Sequence, residues 1–176
     1  MGTFIDLLKF GTIDEISLGC PEHTIVRRLG RYHDILAGKR RPMMITKYGA
    51  FEFLLRYEAL PLNEYFLDSF SIHFDELSNR KYNRHYREVF WQAGWLPNHK
   101  TTLIQFRDYV LSHQMTFDYD QSLSYDEFDM FNIGSHITVY FKKRKKDAAL
   151  YLLSIYRVSV QPISSDSKST IIQKND

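Results

Sequence analysis

The alternation of hydrophobic and polar residues predicts antiparallel strands in the first half of the chain. Two runs rich in β-branched and aromatic residues, 43–48 and 51–57, flank Gly49, which is the pattern of a β-hairpin. A third run, 65–74, alternates clearly towards its end. Because side chains of a strand point to opposite faces in turn, the three runs predict a three-stranded antiparallel meander.

Apolar residues at helical spacing predict helices in three other places. A short apolar face at the N-terminus predicts a helix that ends at Gly11. A second helix is predicted over residues 21–29, with Pro21 in its first turn and Gly30 directly after it. Proline suits the first turn of a helix and glycine suits its end. A third amphipathic pattern spans 101–113.

The remaining patterns complete the prediction of an α+β fold. Residues 31–42 and the acidic segment 118–129 read as loops, and 116–119 reads as a short strand. The runs 137–141 and 150–160 flank a charged tip and predict a second hairpin. The expected fold is an antiparallel sheet built of hairpins, with two or three helices packed on one face.

The organisation of the chain predicts one domain and a tail. We expect a single α+β domain over residues 1–160, since 176 residues suit one hydrophobic core. Residues 161–176 are rich in Ser and Lys and are expected to be a disordered tail. The order helix, strands, helix, strands also permits two similar halves joined into one sheet, although sequence identity between them is slight.

Composition and charge exclude several classes of protein. Hydrophobic residues make up 44% and charged residues 25%, which is ordinary for a globular chain. The net charge of +2 directs the whole protein neither to nucleic acid nor to a membrane. Cys20 is the only cysteine, so no internal disulfide can form. With no basic leader and no long apolar run, we expect a cytoplasmic protein without a membrane partner.

The segment 115–131 carries five acids and no Lys or Arg, and it is the first candidate binding site. The acids are Asp118, Asp120, Asp126, Glu127 and Asp129. Their spacing resembles a calcium-binding loop, but Leu123 stands where the loop requires glycine. We therefore predict no metal site, and interpret the acids as a partner-binding surface for another protein or as a solvated loop.

Two basic segments support an alternative function in nucleic-acid binding. Arg80, Lys81, Arg84 and Arg87 alternate with aromatic residues, a mixture that can pair with phosphates and stack on bases. The run 142–146 adds five adjacent cations. The competing interpretation is a helix with a buried aromatic face and solvated cations, together with a solvated hairpin tip.

Candidate catalytic residues are few. None of the seven histidines belongs to a metal-binding or catalytic motif, and the chain has no glycine-rich phosphate loop. His73 lies between Ile72 and Phe74 and is expected to point away from both. Cys20 lies between glycine and proline and could act as a nucleophile beside a histidine, but a small buried cysteine is commoner. We predict that the protein is not an enzyme and has no cofactor.

Three segments resemble a family of small, poorly characterised bacterial proteins. Residues 16–21, 25–30 and 45–53 follow its LG-x-P … LG … YG-x-x-EF pattern, except that Cys20 stands where a small Thr or Ser is expected. The resemblance covers most of residues 13–141 and implies no catalytic residues. Proteins of this kind are suspected immunity or accessory proteins of bacterial toxin systems. The resemblance thus implies a protein-binding module that binds and neutralises a cognate toxin.

Overall fold

A computed structural model describes residues 3–37, 43–59, 61–90, 94–125, 127–143 and 149–158. These residues form four α-helices, a 3₁₀ turn at Asp75–Ser78, and eight strands. The helices are α1 (Phe4–Phe10), α2 (Glu22–Leu29), α3 (Arg80–Val89) and α4 (Leu103–Ser112). The strands are β1 (Asp34–Ala37), β2 (Met43–Tyr48), β3 (Phe51–Glu58), β4 (Glu64–His73), β5 (Asp118–Tyr119), β6 (Phe128–Ile133), β7 (Ile137–Lys143) and β8 (Leu150–Val158).

All eight strands belong to one antiparallel sheet in the order β1-β2-β3-β4-β8-β7-β6-β5. Strands that follow one another in the chain are also neighbours in the sheet, except for β4 and β5. Strand β4 pairs instead with β8. The sheet therefore consists of two four-stranded meanders that are joined at their last strands. This confirms the predicted α+β fold with a sheet built of hairpins. The finer expectation that the helices pack on one face stays a prediction.

The hairpin of β2 and β3 follows directly from the sequence pattern. Burial alternates along both strands, and Tyr48, Phe51 and Phe53 are almost wholly buried. Gly49 has φ of 64° in the turn between the strands, a conformation that glycine adopts at little cost. A shift of one residue in register would expose this aromatic row, so the buried face fixes the pairing.

Each half of the sheet is preceded by two helices. The chain order α1-α2-β1-β2-β3-β4 is repeated as α3-α4-β5-β6-β7-β8. In the first half the N-cap of α2, Pro21, forms a β-bridge with Phe66 of β4. In the second half the N-cap of α4, Thr102, forms the corresponding bridge with Tyr151 of β8. The two halves that the sequence permitted therefore have the same order of helices and strands.

The join between the halves is symmetric in register. At the centre of the β4–β8 pair, Ser71 lies opposite Tyr156. The flanking pairs are Phe70–Arg157 and Ile72–Ile155. This is the pattern expected of two similar units that meet about a two-fold axis at Ser71 and Tyr156.

One hydrophobic core contains residues of both halves. Phe106 of α4 contacts Phe141 of β7, with ring centroids 5.8 Å apart. Tyr86 of α3 lies 6.0 Å from Phe51 of β3, so a helix of the second half packs on a strand of the first. Each fully buried side chain of this size stabilises the fold by about 1.5–3 kcal/mol.

Parts of the predicted secondary structure were wrong. Residues 31–42 were expected to be a loop, but 34–37 form β1, which makes the first meander four-stranded. The strand predicted at 116–119 contains β5, whereas the loop predicted at 118–129 overlaps the start of β6, which begins at Phe128 and was missed. The missed strands β1 and β6 lie at or next to a sheet edge, where polar residues weaken the alternation on which the prediction depends. The four α-helices exceed the two or three expected.

Two further predictions concern other parts of the chain. The predicted disordered tail, 161–176, lies outside the described residues, and the single domain over 1–160 stays a prediction. Among the described residues, no helix has both the length and the apolar character that a membrane crossing requires.

Candidate functional site

Four of the five predicted acidic residues lie at one end of the sheet, on β5, the following loop and the start of β6. We call this region, residues 118–125 and 127–129, the acidic edge. Asp118 and Glu127 are exposed, whereas Asp120 and Asp129 are partly buried. Asp126 lies outside the described residues. Strand β5 is the outermost strand of the second meander, so the acidic edge lies at that edge of the sheet.

Asp120 organises the loop of the acidic edge. One carboxylate oxygen accepts hydrogen bonds from the Ser122 hydroxyl at 2.6 Å and from the Ser122 backbone N–H at 3.1 Å. The other accepts from the Asn132 side-chain amide at 2.9 Å. The Ser122 hydroxyl and then Asn132 lower the pKa of Asp120, because these donors favour the ionised carboxylate. Asp120 therefore has a structural role in the loop.

Ser124 ties the same loop to β6. Its hydroxyl donates to the Asp120 carbonyl at 2.7 Å and accepts from the Met130 backbone N–H at 3.0 Å. The described residues contain no group of three or more His, Cys, Asp or Glu side chains that could hold a metal ion. The carboxylate of Asp120 instead serves the fold of the loop.

Large apolar and aromatic side chains are exposed among these acids. They are Tyr119 (55% exposed), Leu123 (41%) and Tyr125 (64%). The ring of Tyr119 lies 5.3 Å from that of Phe131, which is packed on the core. The acidic edge thus presents an apolar centre with a charged rim, a composition that is typical of protein interfaces.

The acidic edge meets a basic region at Lys142. The Lys142 ammonium lies 3.8 Å from the Glu127 carboxylate and 5.2 Å from the centroid of the Phe128 ring. Both charged side chains of this pair are at least half exposed, so water screens their attraction and its contribution to stability is small. The other described cation of the predicted run 142–146 is Lys143; residues 144–146 lie outside the described residues.

The four basic residues of the alternative prediction lie on α3. Arg80, Lys81, Arg84 and Arg87 are all exposed. On the opposite side of the helix, Tyr86 and its neighbours Val89 and Phe90 are buried, as the helical spacing predicted. The helix is therefore amphipathic, with its cations towards solvent.

Three of these cations line an open groove of about 610 Å³. Arg80, Arg84 and Arg87 line it from α3, and Ser78 and His99 line it from the flanking segments. A second depression, of about 270 Å³, also has Ser78 and His99 in its wall. Because the two share these residues, they adjoin each other, and we call them together the basic groove.

The far end of the basic groove is formed by the second half of the sheet. Lys142 of β7 and Tyr151 of β8 line it there, and Asp75 is an acidic member of the wall. The structure therefore brings Lys142, the first residue of the run 142–146, into the same groove as the arginines of α3. The sequence alone did not predict this proximity.

Lys81 lines a third depression, of about 230 Å³, which shares Arg84 and Glu88 with the basic groove and has two histidines in its wall. The Nδ1 atom of His33 accepts a hydrogen bond from the Gly49 backbone N–H at 3.0 Å. The ring of His85 lies 6.2 Å from that of His33 and 6.0 Å from that of Phe51. Burial, and then the neighbouring His33, lowers the pKa of His85. Both rings thus serve to pack α3 against the first half.

Cys20 has the properties of a buried structural cysteine. It is 9% exposed, and burial raises the pKa of its thiol, which disfavours the reactive thiolate. Its carbonyl accepts a hydrogen bond from the Leu67 backbone N–H of β4 at 2.9 Å. Its position is thus set by strand pairing.

A polar cluster on the sheet resembles a catalytic triad in residue types but not in geometry. Ser71 Oγ lies 2.9 Å from His73 Nε2, and the Glu52 carboxylate lies 4.0 Å from the same nitrogen. A catalytic relay requires the serine and the carboxylate on opposite ring nitrogens. Lys47 lies 3.5 Å from Glu52 and 3.1 Å from Glu76, so the cluster ties the 3₁₀ turn to the sheet. His73 points away from Ile72 and Phe74, as predicted.

Several residues of the two candidate surfaces carried no signal in the sequence. The exposure of Tyr119 and Tyr125 was not predicted, because the segment was interpreted from its acidic residues alone. His99 and Tyr151 are distant in sequence from α3, and only the fold brings them to the basic groove. The acid-rich composition around the two tyrosines was the one signal that marked the first surface.

Comparisons of this chain with protein-family models, with curated proteins and with solved structures found no match.

Proposed function

We propose that this protein is a non-catalytic protein-binding module that uses the acidic edge to bind a partner with a basic surface. The observation that carries this proposal is the exposure of Tyr119, Leu123 and Tyr125 within an acidic rim. Tyrosine is among the residues that contribute most to binding energy at protein interfaces. Rim carboxylates would steer a basic partner to this surface and favour it over acidic proteins.

The loop geometry supports tight binding. Asp120 and Ser124 hold the acidic edge through hydrogen bonds to the loop and to β6. A loop that is ordered before binding loses less conformational entropy when the complex forms. The loop therefore holds the exposed rings of Tyr119 and Tyr125 in position before a partner binds.

The non-catalytic part of the proposal is supported by the state of the candidate nucleophiles. Cys20 is buried with a raised thiol pKa, and Ser71 contacts the same histidine nitrogen that Glu52 approaches. The first disfavours the reactive thiolate, and the second lacks the carboxylate on the opposite ring nitrogen that a catalytic triad uses. The finer proposal is a cytoplasmic bacterial immunity-type protein that neutralises a cognate toxin, and it rests on the family resemblance of residues 13–141.

The test begins with the partner that co-purifies with the full chain from the native host. Its identification only supplies the probe, and support comes from affinities measured with the purified partner. Because a central aromatic anchor contributes about 2 kcal/mol or more, we expect Tyr125→Ala to weaken binding by about 30-fold. Tyr57→Ala, on β3 in the other half, is the matched control and should leave the affinity unchanged. Equal affinities of Tyr125→Ala and the unaltered protein would exclude the acidic edge.

Charge reversal tests the proposed chemistry of the partner. We expect the double variant Asp118→Lys and Glu127→Lys to slow association about tenfold at low salt, since rim charges act mainly on the association rate. The control double variant, Glu15→Lys and Asp108→Lys, makes the same change in net charge at other exposed positions. Association that slows equally in both variants would show that only overall charge matters. For the toxin proposal, Tyr125→Ala should also reduce rescue of growth when partner and protein are co-expressed.

A further inference from the structure

The basic groove joins two segments that are far apart in the chain. Arg80, Arg84 and Arg87 line one end, and Lys142 lines the other. Ser78 and His99 lie in the wall of both parts. Cations in two adjoining depressions, which outnumber the acidic residues Glu88 and Asp75 of the walls, suit an extended polyanion rather than a single small anion.

The arginines of α3 are regularly spaced. Arg80 and Arg84 are four residues apart, and Arg87 follows three residues later, so all three lie on one stripe of the helix. Successive members are therefore separated by about one helical turn, or about 5.4 Å along the axis. Phosphates of an extended nucleic-acid strand repeat at a similar spacing. The stripe can thus contact successive phosphates.

Two of the guanidinium groups contact neighbours on α3. The Nε atom of Arg84 donates to the Glu88 carboxylate at 2.9 Å, and that of Arg87 donates to the Asn83 side-chain carbonyl at 3.0 Å. Arg84 and Glu88 are both more than half exposed, so water screens their attraction. A guanidinium has five N–H donors, and each of these contacts uses one. The remaining donors can bind a phosphate, because the guanidinium fork matches two phosphate oxygens.

The wall of the groove also offers flat rings. Tyr151 and His99 line the part of the groove between α3 and Lys142. Stacking of bases on such rings, together with cations along the backbone, is the usual mode of single-strand recognition. An acidic protein segment would use the cations but would gain little from the rings.

We propose that the basic groove binds a single-stranded nucleic acid through its phosphodiester backbone. The arginines of α3 and Lys142 contact the phosphates, and Tyr151 and His99 contact the bases. The inference goes beyond the proposed protein-binding function, because the ligand and the surface both differ.

The test measures fluorescence anisotropy of labelled RNA and DNA single strands with the full chain at about 50 mM to 200 mM salt. We expect affinity to fall steeply with salt. The triple variant Arg80→Gln, Arg84→Gln and Arg87→Gln should bind about tenfold or more weakly at low salt, and its plot of log affinity against log salt should be shallower by about 2. Comparison of the RNA and DNA arms identifies which strand is preferred.

The matched control removes three exposed cations outside the groove, with Lys9→Gln, Arg27→Gln and Arg107→Gln. It should retain most of the affinity at equal net charge. Equal losses in the two triple variants, or no binding of either strand at low salt, would overturn the inference.

Competition separates nucleic acid from other polyanions. Single-stranded RNA should displace the labelled strand at far lower concentration than polyglutamate of equal charge. Equal competition would show that the groove recognises charge alone and would overturn the inference. The variant Tyr125→Ala, which changes no charge, should keep its nucleic-acid affinity, so failure of the acidic edge as a protein-binding site would leave this result intact.

Discussion

The two halves of the molecule have the same order of elements but differ at their surfaces. In both, two helices precede a four-stranded meander, and the N-cap of the second helix bridges to the fourth strand. At the outer edges, however, β1 has four residues, whereas β5 has two and continues into the acidic edge. The features that the two halves share therefore lie in the core and in the turns. Both candidate binding surfaces, in contrast, depend on features that are present in only one half.

The shared features extend to single positions. Gly49 and Gly134 follow the second strand of their meanders, and both have positive φ. Each third strand also has an irregularity in its pairing with the fourth, directly before Leu55 in β3 and directly before Phe141 in β7. A turn or a shift in register is compatible with the fold only if the buried side chains of the strands on both sides of it still face the core.

The first helices show the clearest difference. Helix α1 buries Phe4, Leu7 and Leu8 along only seven residues. Helix α3 has ten residues and carries four exposed cations. The exposed cations of α3 lie outside the core, and three of them form part of the basic groove.

Truncation of equivalent core residues should give the largest effects. Leu55 and Phe141 are both fully buried and follow the irregularities of β3 and β7. We expect Leu55→Ala to lower the free energy of unfolding by about 2–5 kcal/mol and Phe141→Ala by about 3–5 kcal/mol. Because one core spans both halves, each variant should still unfold in a single transition. Urea titration followed by circular dichroism and by tryptophan fluorescence measures both quantities.

Coincidence of the two signals is the critical result. Two separate transitions in either variant would mean that the halves unfold independently, and would contradict a single domain over residues 1–160. Ile104→Ala, an exposed residue of α4, is the control and should change the free energy of unfolding little.

Substitution of the two turn glycines should give intermediate and unequal effects. At Gly134, no described atom of another residue would lie within 4 Å of an added Cβ, so Gly134→Ala should cost about 1 kcal/mol from positive φ alone. At Gly49 a Cβ would lie 3.3 Å from the Tyr82 ring of α3. We expect Gly49→Ala to cost about 2–3 kcal/mol, because strain and crowding add. Thermal or urea unfolding checks the difference.

The variant Tyr82→Ala separates the two contributions. In its background, Gly49→Ala should cost about as much as Gly134→Ala, since the crowding ring is absent. An unchanged cost would show that contact with α3 plays no part, and that the two turns are equivalent.

Much of the fold could be predicted because burial leaves a periodic trace in the sequence. The β2–β3 hairpin, the hairpin of β7 and β8, and the buried face of α3 were predicted from alternating or helical apolar residues. The short edge strand β1 and the acid-containing β6 were missed. Edge strands bury less, so their sequences are less constrained to alternate.

The candidate surfaces were predictable only in part, because they combine distant segments. Charge along the chain marked the acids of residues 118–129 and the cations of 80–87. It did not show that Lys142 and Tyr151 lie in the same groove as α3, since that depends on how β8 joins β4. Exposure of Tyr125 likewise depends on the conformation of its loop, which local pattern does not determine.

The smallest effects should come from the residues before the second helix of each half. The carbonyls of Cys20 and Thr101 both accept hydrogen bonds from the fourth strand, at 2.9 Å from the backbone N–H groups of Leu67 and Leu152. The Thr101 hydroxyl also accepts a hydrogen bond from the Asn98 backbone N–H at 2.9 Å, whereas the thiol of Cys20 is only a weak acceptor. We expect Thr101→Val to cost about 1 kcal/mol and Cys20→Val about 0.5 kcal/mol. Urea unfolding resolves the difference.

The comparison with Thr101→Ser decides whether the hydroxyl is the cause. Serine keeps the oxygen that accepts from Asn98, so this variant should retain more stability than Thr101→Val although it lacks the methyl group. A larger loss in Thr101→Ser would mean that packing dominates at this position. The two halves would then be held at these points by backbone pairing and apolar contact alone, because the thiol of Cys20 is also small and buried.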